Sequence, residues 1–129
     1  APMDILPADV AAARIQAAQE SSGGLSIPVP SPSVFGVGPG MLGDWVARRL
    51  TPQPLASYTT PTRFEHPIAN GRPRTYVFCN DPVYEPVRPT YDWVRAQPDW
   101  PVRTLAACHD AMITAPAATA DLLLEIAGS

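Results

Sequence analysis

At 129 residues the chain suits one ordinary domain and is too short for two with separate large cores. Its 16% charged and 46% apolar residues exclude the disordered class. A net charge of −3 and a pI near 5.2, with nine scattered arginines and no lysine, exclude nucleic acid and anionic membrane as expected partners.

Residues 4 to 20 have the spacing of a helix, with Val10, Ala11, Arg14, Ile15 and Ala18 on one weakly apolar face and Ser21 to Gly24 as its stop. Residues 25 to 40 hold four prolines and three glycines, which predicts a loop or hinge. No strand precedes those glycines and no Gly-Lys-Ser/Thr follows them, so a phosphate cradle is not expected. Met41 to Leu50 predicts a short helix with Trp45 turned inward, and 55 to 73 an extended, proline-punctuated connection in which His66 is a surface residue.

Thr75 to Cys79 is a continuous β-prone run of the kind buried on both faces of a parallel sheet, broken by Asn80-Asp81-Pro82. Pro89 to Gln97 predicts a helix containing Trp93, and Val102 to Ala106 a second strand. A last helix is predicted from about Ala115 to Ala127, with Thr114 as its N-cap and Pro116 in its first turn, where proline is tolerated. Helical and irregular structure is thus followed by strand, helix, strand, helix: an α/β class with a βαβα unit and a parallel strand pair.

Cys79 and Cys108 lack the spacing of a zinc site or a disulfide framework, so no metal is expected. Free, buried thiols are the expectation and a bridge between neighbouring strands the alternative. No 18-residue apolar run and no basic-then-apolar start occur, from which a soluble protein with no membrane partner is expected, the cytoplasm being the favoured compartment. The lack of lysine is compatible with a GC-rich bacterial coding sequence.

Functional groups of open α/β sheets gather beyond the carboxyl ends of the strands. Asp81 and His109, 28 residues apart, both fall there. A carboxylate at one strand end can accept the Nδ1 proton of an imidazole at the next, leaving Nε2 to take a proton from a nucleophile. Glu85 competes as the acid, whereas Asp110 adjoins the histidine too closely to fold back on its ring. The bland alternative is that Asp81 caps the following helix and His109 is a loop residue.

These residues resemble a known family. The run Arg74 to Cys79, the acidic turn, the helix with Trp93, then Cys108-His109-Asp110-Ala111-Met112, Pro116 and a Leu-Leu-Glu-Ile-Ala ending are similar to the C-terminal half of α/β-hydrolases, in the branch of plant methylesterases, hydroxynitrile lyases and bacterial esterase relatives. The resemblance implies His109 as base and Asp81 as acid of a serine-hydrolase triad, with the interval between them that the family uses. It also implies a cap over residues 1 to 60, the C-terminal part of the core over 61 to 129, and Trp45 and Trp93 shaping an apolar substrate pocket. The turn after the first strand is one residue tighter than the family pattern, which keeps Glu85 in play, and Cys108 stands where a glycine is usual.

None of Ser21, Ser22, Ser26, Ser31, Ser33, Ser57 and Ser129 lies in a Gly-x-Ser-x-Gly turn. The expectation is therefore a portion of a hydrolase acting on a carboxylic ester or small acyl substrate, without organic cofactor. Its partner would be an N-terminal hydrolase half, as a second chain or missing segment, or a second copy exchanging elements. One alternative is a hydroxynitrile-lyase-like enzyme, disfavoured by the lack of lysine; another is a non-catalytic ligand-binding or dimerising relative.

Overall fold

A computed structural model describes residues 1–128. In chain order its elements are helix α1 (Ala8–Ser22), strand β1 (Ser26–Ile27), helix α2 (Met41–Ala47), strand β2 (Gln53–Pro54) and helix α3 (Ala56–Thr59). Strand β3 (Tyr76–Cys79), helix α4 (Arg88–Arg95), strand β4 (Val102–Leu105), helix α5 (Ala111–Thr114) and helix α6 (Pro116–Ala127) follow. Two compact units result: one from Ala1–Pro30 and Arg48–Gly71, the other from Ser31–Ala47 and the chain from Arg72 onward. The segment 31–47, read from the sequence with the first 60 residues, thus packs with the strand pair.

In the first unit the helix predicted over 4–20 is two pieces. Leu6 precedes Pro7 and is extended (φ −83°, ψ 152°), so a 3-10 turn at Pro2–Ile5 stops there and α1 starts afresh. Gly23, at φ +63°, ends α1, and the N–H groups of Gly23 and Gly24 return to the carbonyls of Gln19 and Ala18 at 3.1 and 3.0 Å. Ser22 Oγ accepts the N–H of Ser26 at 2.9 Å and steers the chain into β1, which pairs antiparallel with β2. The Arg14 guanidinium lies 5.4 Å from the ring centre of Tyr58, linking α1 to α3.

The second unit holds the predicted parallel pair. Tyr76, Val77, Phe78 and Cys79 stand opposite Val102, Arg103, Thr104 and Leu105. The ladder runs past both ends, with Tyr76 N–H bonding to Pro101 O at 2.9 Å and Asn80 N–H to Leu105 O at 3.1 Å. Helix α4 lies on β3 through a face-to-face stack of Tyr91 on Phe78, centroids 3.8 Å apart and planes within 9°, and buries Val94. At the opposite end of the strands Arg74 pairs with Asp99 and covers the Trp100 ring at 4.8 Å, against which Trp93 packs edge-on at 5.6 Å.

Three local expectations change. Phe78 alone of β3 is buried, while Tyr76, Val77 and Cys79 stay partly open, because a two-stranded sheet offers too little cover for both faces. Thr114 does not cap α6: Ala115 holds that position, and the Thr114 hydroxyl turns back to Cys108 Sγ (3.1 Å) and to the Asp110 carbonyl (3.4 Å). Trp45, expected to pack inward, is 43% exposed. Pro116 does open α6.

The core of this unit is small: Val37, Val46, Phe78, Val94, Ala107, Cys108 and Ala111. Helix α6 buries none of its described residues, leaving Leu123 and Leu124 56% and 72% exposed, and an Arg103–Glu125 pair at 3.3 Å joins it to β4. An exposed pair of this kind contributes at most about 1 kcal/mol.

Candidate functional site

Both strands finish at one edge of the sheet, and the loops that leave it are stitched together. Asp81 N–H donates to Ala107 O at 3.0 Å, one step beyond the bond from Asn80 N–H to Leu105 O. The first loop is a tight turn in which Asn80 and Val83 pair across a cis Asp81–Pro82 peptide. The second passes from Ala107 through buried Cys108 to half-buried His109, and α5 then begins with the N–H groups of Ile113 and Thr114 returning to Asp110 O at 2.9 and 3.1 Å. The backbone of Asp81 therefore lies level with Ala107, two residues from His109.

The side chains are arranged differently from the backbones. His109 stacks on Tyr84, centroids 4.5 Å apart and planes tilted by 29°, and Phe35 stands 6.1 Å from the imidazole and 5.7 Å from Tyr84. Among the described residues no hydrogen bond or ion pair joins the imidazole to Asp81, Glu85 or Asp110. Asp81 and Glu85 are exposed, and Glu85 is held by Arg88 at 3.3 Å, an interaction that also raises the guanidinium pKa. Glu85 has a local partner; the Asp81 carboxylate has none among the described hydrogen bonds.

Gly36 packs tightly against the second loop. Its φ is +86°, and a β-carbon there would stand 2.3 Å from Cys108 Cβ, 3.2 Å from Cys108 Sγ and 3.5 Å from Pro82 Cγ. The separation from Cys108 Cβ is far inside van der Waals contact, so the turn closes on the His109 loop only because residue 36 has no side chain. Val37 next to it is buried, anchoring the turn.

The two tryptophans expected to shape a pocket lie on different helices. Trp45 lies on α2, and Trp93 on α4 packs against Trp100 at the other end of the sheet. An open groove of about 380 Å³ in this unit is lined by Ser31, Pro32, Val37, Pro39, Gly43 and Asp44, and by neither tryptophan. Ser31 and Ser33, the described serines of the unit, bond hydroxyl to hydroxyl at 2.8 Å.

Cys79 and Cys108 are both free. Burial, and secondarily the neighbouring Cys108, push the Cys79 thiol above its ordinary value of 9.0. Because the folded state favours the protonated thiol, its contribution to stability is intact below the ordinary pKa and is lost as pH rises through the raised one. Alkylation of native Cys79 at pH 8 is accordingly expected to run slower than that of the same residue in urea, and unfolding free energy to decline above about pH 9; peptide mapping after timed iodoacetamide exposure and urea melts at pH 8 and 10 check both.

Phe35 and Tyr84 were not legible as site residues. Phe35 sits in a stretch whose prolines and glycines predict only a loop, and Tyr84 in the turn after β3, where an aromatic in a strand-end loop is the one signal that could have marked it. Among the described residues no group of three or more His, Cys, Asp and Glu converges as a metal site, and no helix is long and apolar enough to cross a membrane. Compared with protein-family models, with curated proteins and with solved structures, the chain matches none.

Proposed function

We propose that this chain is the cap and acid/base portion of a serine hydrolase of α/β-hydrolase type, acting on a carboxylic ester or related small acyl substrate. His109 is its base and Asp81 its acid, and the nucleophilic serine lies outside the chain. The observation that carries the reading is the pair of stitched loops at the carboxyl ends of two parallel strands, one bearing Asp81 and the other His109, with Asp81 N–H on Ala107 O at 3.0 Å. Engagement of Glu85 by Arg88 favours Asp81 as the acid. The uncovered Leu123 and Leu124, and a sheet of only two strands, support completion by further polypeptide.

In this reading His109 takes the hydroxyl proton as the serine oxygen attacks the ester carbonyl, and returns it to the departing alkoxide. The acyl-enzyme is then cleaved by water deprotonated at the same imidazole, which releases the acid and restores the serine. The carboxylate keeps the ring in the tautomer that presents a free nitrogen and stabilises the imidazolium formed in each step.

A second reading, a non-catalytic ligand-binding or dimerising relative, draws on the imidazole stacking on Tyr84 without a carboxylate partner. Intact-mass measurement of native material with and without a fluorophosphonate separates the two. A co-purifying chain or longer form that gains the phosphonyl mass is the expected result. A lone 13.8 kDa species that never reacts overturns the hydrolase proposal in favour of the module.

A further inference from the structure

We infer that Tyr84 and Phe35 are positioning residues for His109: their rings set the plane of the imidazole and hence the direction of its two nitrogens. An imidazole on a loop rotates broadly about its outer side-chain torsion unless something fixes it. Hydrogen bonds to a carboxylate usually supply that restraint, and among the described residues His109 has none. The restraint here is the ring face of Tyr84, 4.5 Å away with planes 29° apart, backed by Phe35 at 6.1 Å from the imidazole.

The three rings come from three separate segments, and their arrangement is held by backbone. Tyr84 follows the turn at Asn80–Val83, whose own N–H groups are tied to the β4 loop. Phe35 precedes Gly36, and Gly36 is wedged against Cys108, the residue before His109. The wedge therefore ties the turn that carries Phe35 to the loop that carries His109. Aromatic pairs favour particular plane angles and separations, so a held Tyr84 ring biases the plane of the imidazole stacked on it. A general base depends on having its nitrogen within hydrogen-bond reach of the proton it removes, and orientation of the ring is what such a clamp supplies.

The inference rests on the proposed function only in taking His109 as a base; the orientation itself is measurable in the chain alone. The chain has two histidines, and His66 lies exposed in another loop, so their ring protons form an internal comparison. In NMR spectra of the full chain the Cε1 and Cδ2 protons of His109 are expected upfield of those of His66, displaced by the Tyr84 ring current. Tyr84→Phe keeps that displacement, Tyr84→Leu removes most of it with the remaining amide spectrum preserved, and Phe35→Leu reduces it less. Coincident His109 and His66 ring signals in the parent chain overturn the clamp, as does an unmoved His109 signal in Tyr84→Leu; the parent and Tyr84→Phe spectra decide the matter even if the leucine variant fails to fold. A clamped His109 in material that never takes up a fluorophosphonate leaves the clamp standing and removes the hydrolase reading, so the two failures are distinguishable.

Discussion

Replacing His109 by alanine is expected to lower acyl-enzyme formation in the complete assembly by about 10⁴-fold or more, the loss typical when a triad base is deleted. The fold should survive. His109 is only half-buried, carries no described hydrogen bond, and its stack on Tyr84 is worth about 1 kcal/mol. Stopped-flow phosphonate labelling and ester turnover, read beside a thermal melt, separate lost chemistry from lost structure. Asp81→Asn should fall as well, whereas Glu85→Gln stays near the parent because that carboxylate already serves Arg88. Parent-like turnover in a folded His109→Ala assembly means that another group removes the proton, and the assignment of the base is then wrong.

The parts of the fold that could be read in advance are those in which one local signal dominates. The run from Thr75 to Cys79 is β-prone without interruption and stops at Asn80-Asp81-Pro82, and the structure places β3 there. The same holds for α4, whose start is set by Pro89, and for α6, opened by Pro116. The strand–helix–strand order then implied a parallel pair, and β3 lies beside β4 in parallel.

What could not be read depends on partners distant in sequence. Ser26–Ile27 and Gln53–Pro54 are two-residue strands with no periodicity to detect, and they exist because α1 ends at Gly23 and Ser22 redirects the chain into pairing. Thr114 has the side chain of an N-cap, but Cys108 Sγ competes for its hydroxyl. The site divides along the same line. Strand-end positions for Asp81 and His109 follow from the strand boundaries alone, while the rings that face the imidazole are brought together by a glycine turn whose role is visible only once Cys108 and Pro82 stand beside it. Burial of Phe78 but not of its strand neighbours is equally a matter of what covers the sheet.

Gly36→Ala is the second large effect expected, a loss of about 3 kcal/mol in the stability of the unit. Two independent costs add. A left-handed conformation, here φ +86°, costs an ordinary L-residue about 1–2 kcal/mol, and overpacking a tight contact costs about 1–3 kcal/mol more. The second cost is not relieved by a side-chain rotation, since the atom 2.3 Å away is Cys108 Cβ, fixed by its own buried backbone. The turn or the β4 loop must shift, and either movement carries Phe35 or His109 with it. A urea melt of Gly36→Ala should therefore show a lower midpoint, and whatever fraction remains folded should have a displaced His109 ring signal. Cys108→Ala leaves Cβ in place and should not restore the midpoint, whereas Cys108→Gly in the Gly36→Ala background removes the colliding atom and should recover part of it. Recovery by Cys108→Gly but not by Cys108→Ala locates the strain at that single carbon; equal recovery by both, or an unchanged midpoint in Gly36→Ala itself, means that the turn at residue 36 does not pack tightly against the His109 loop.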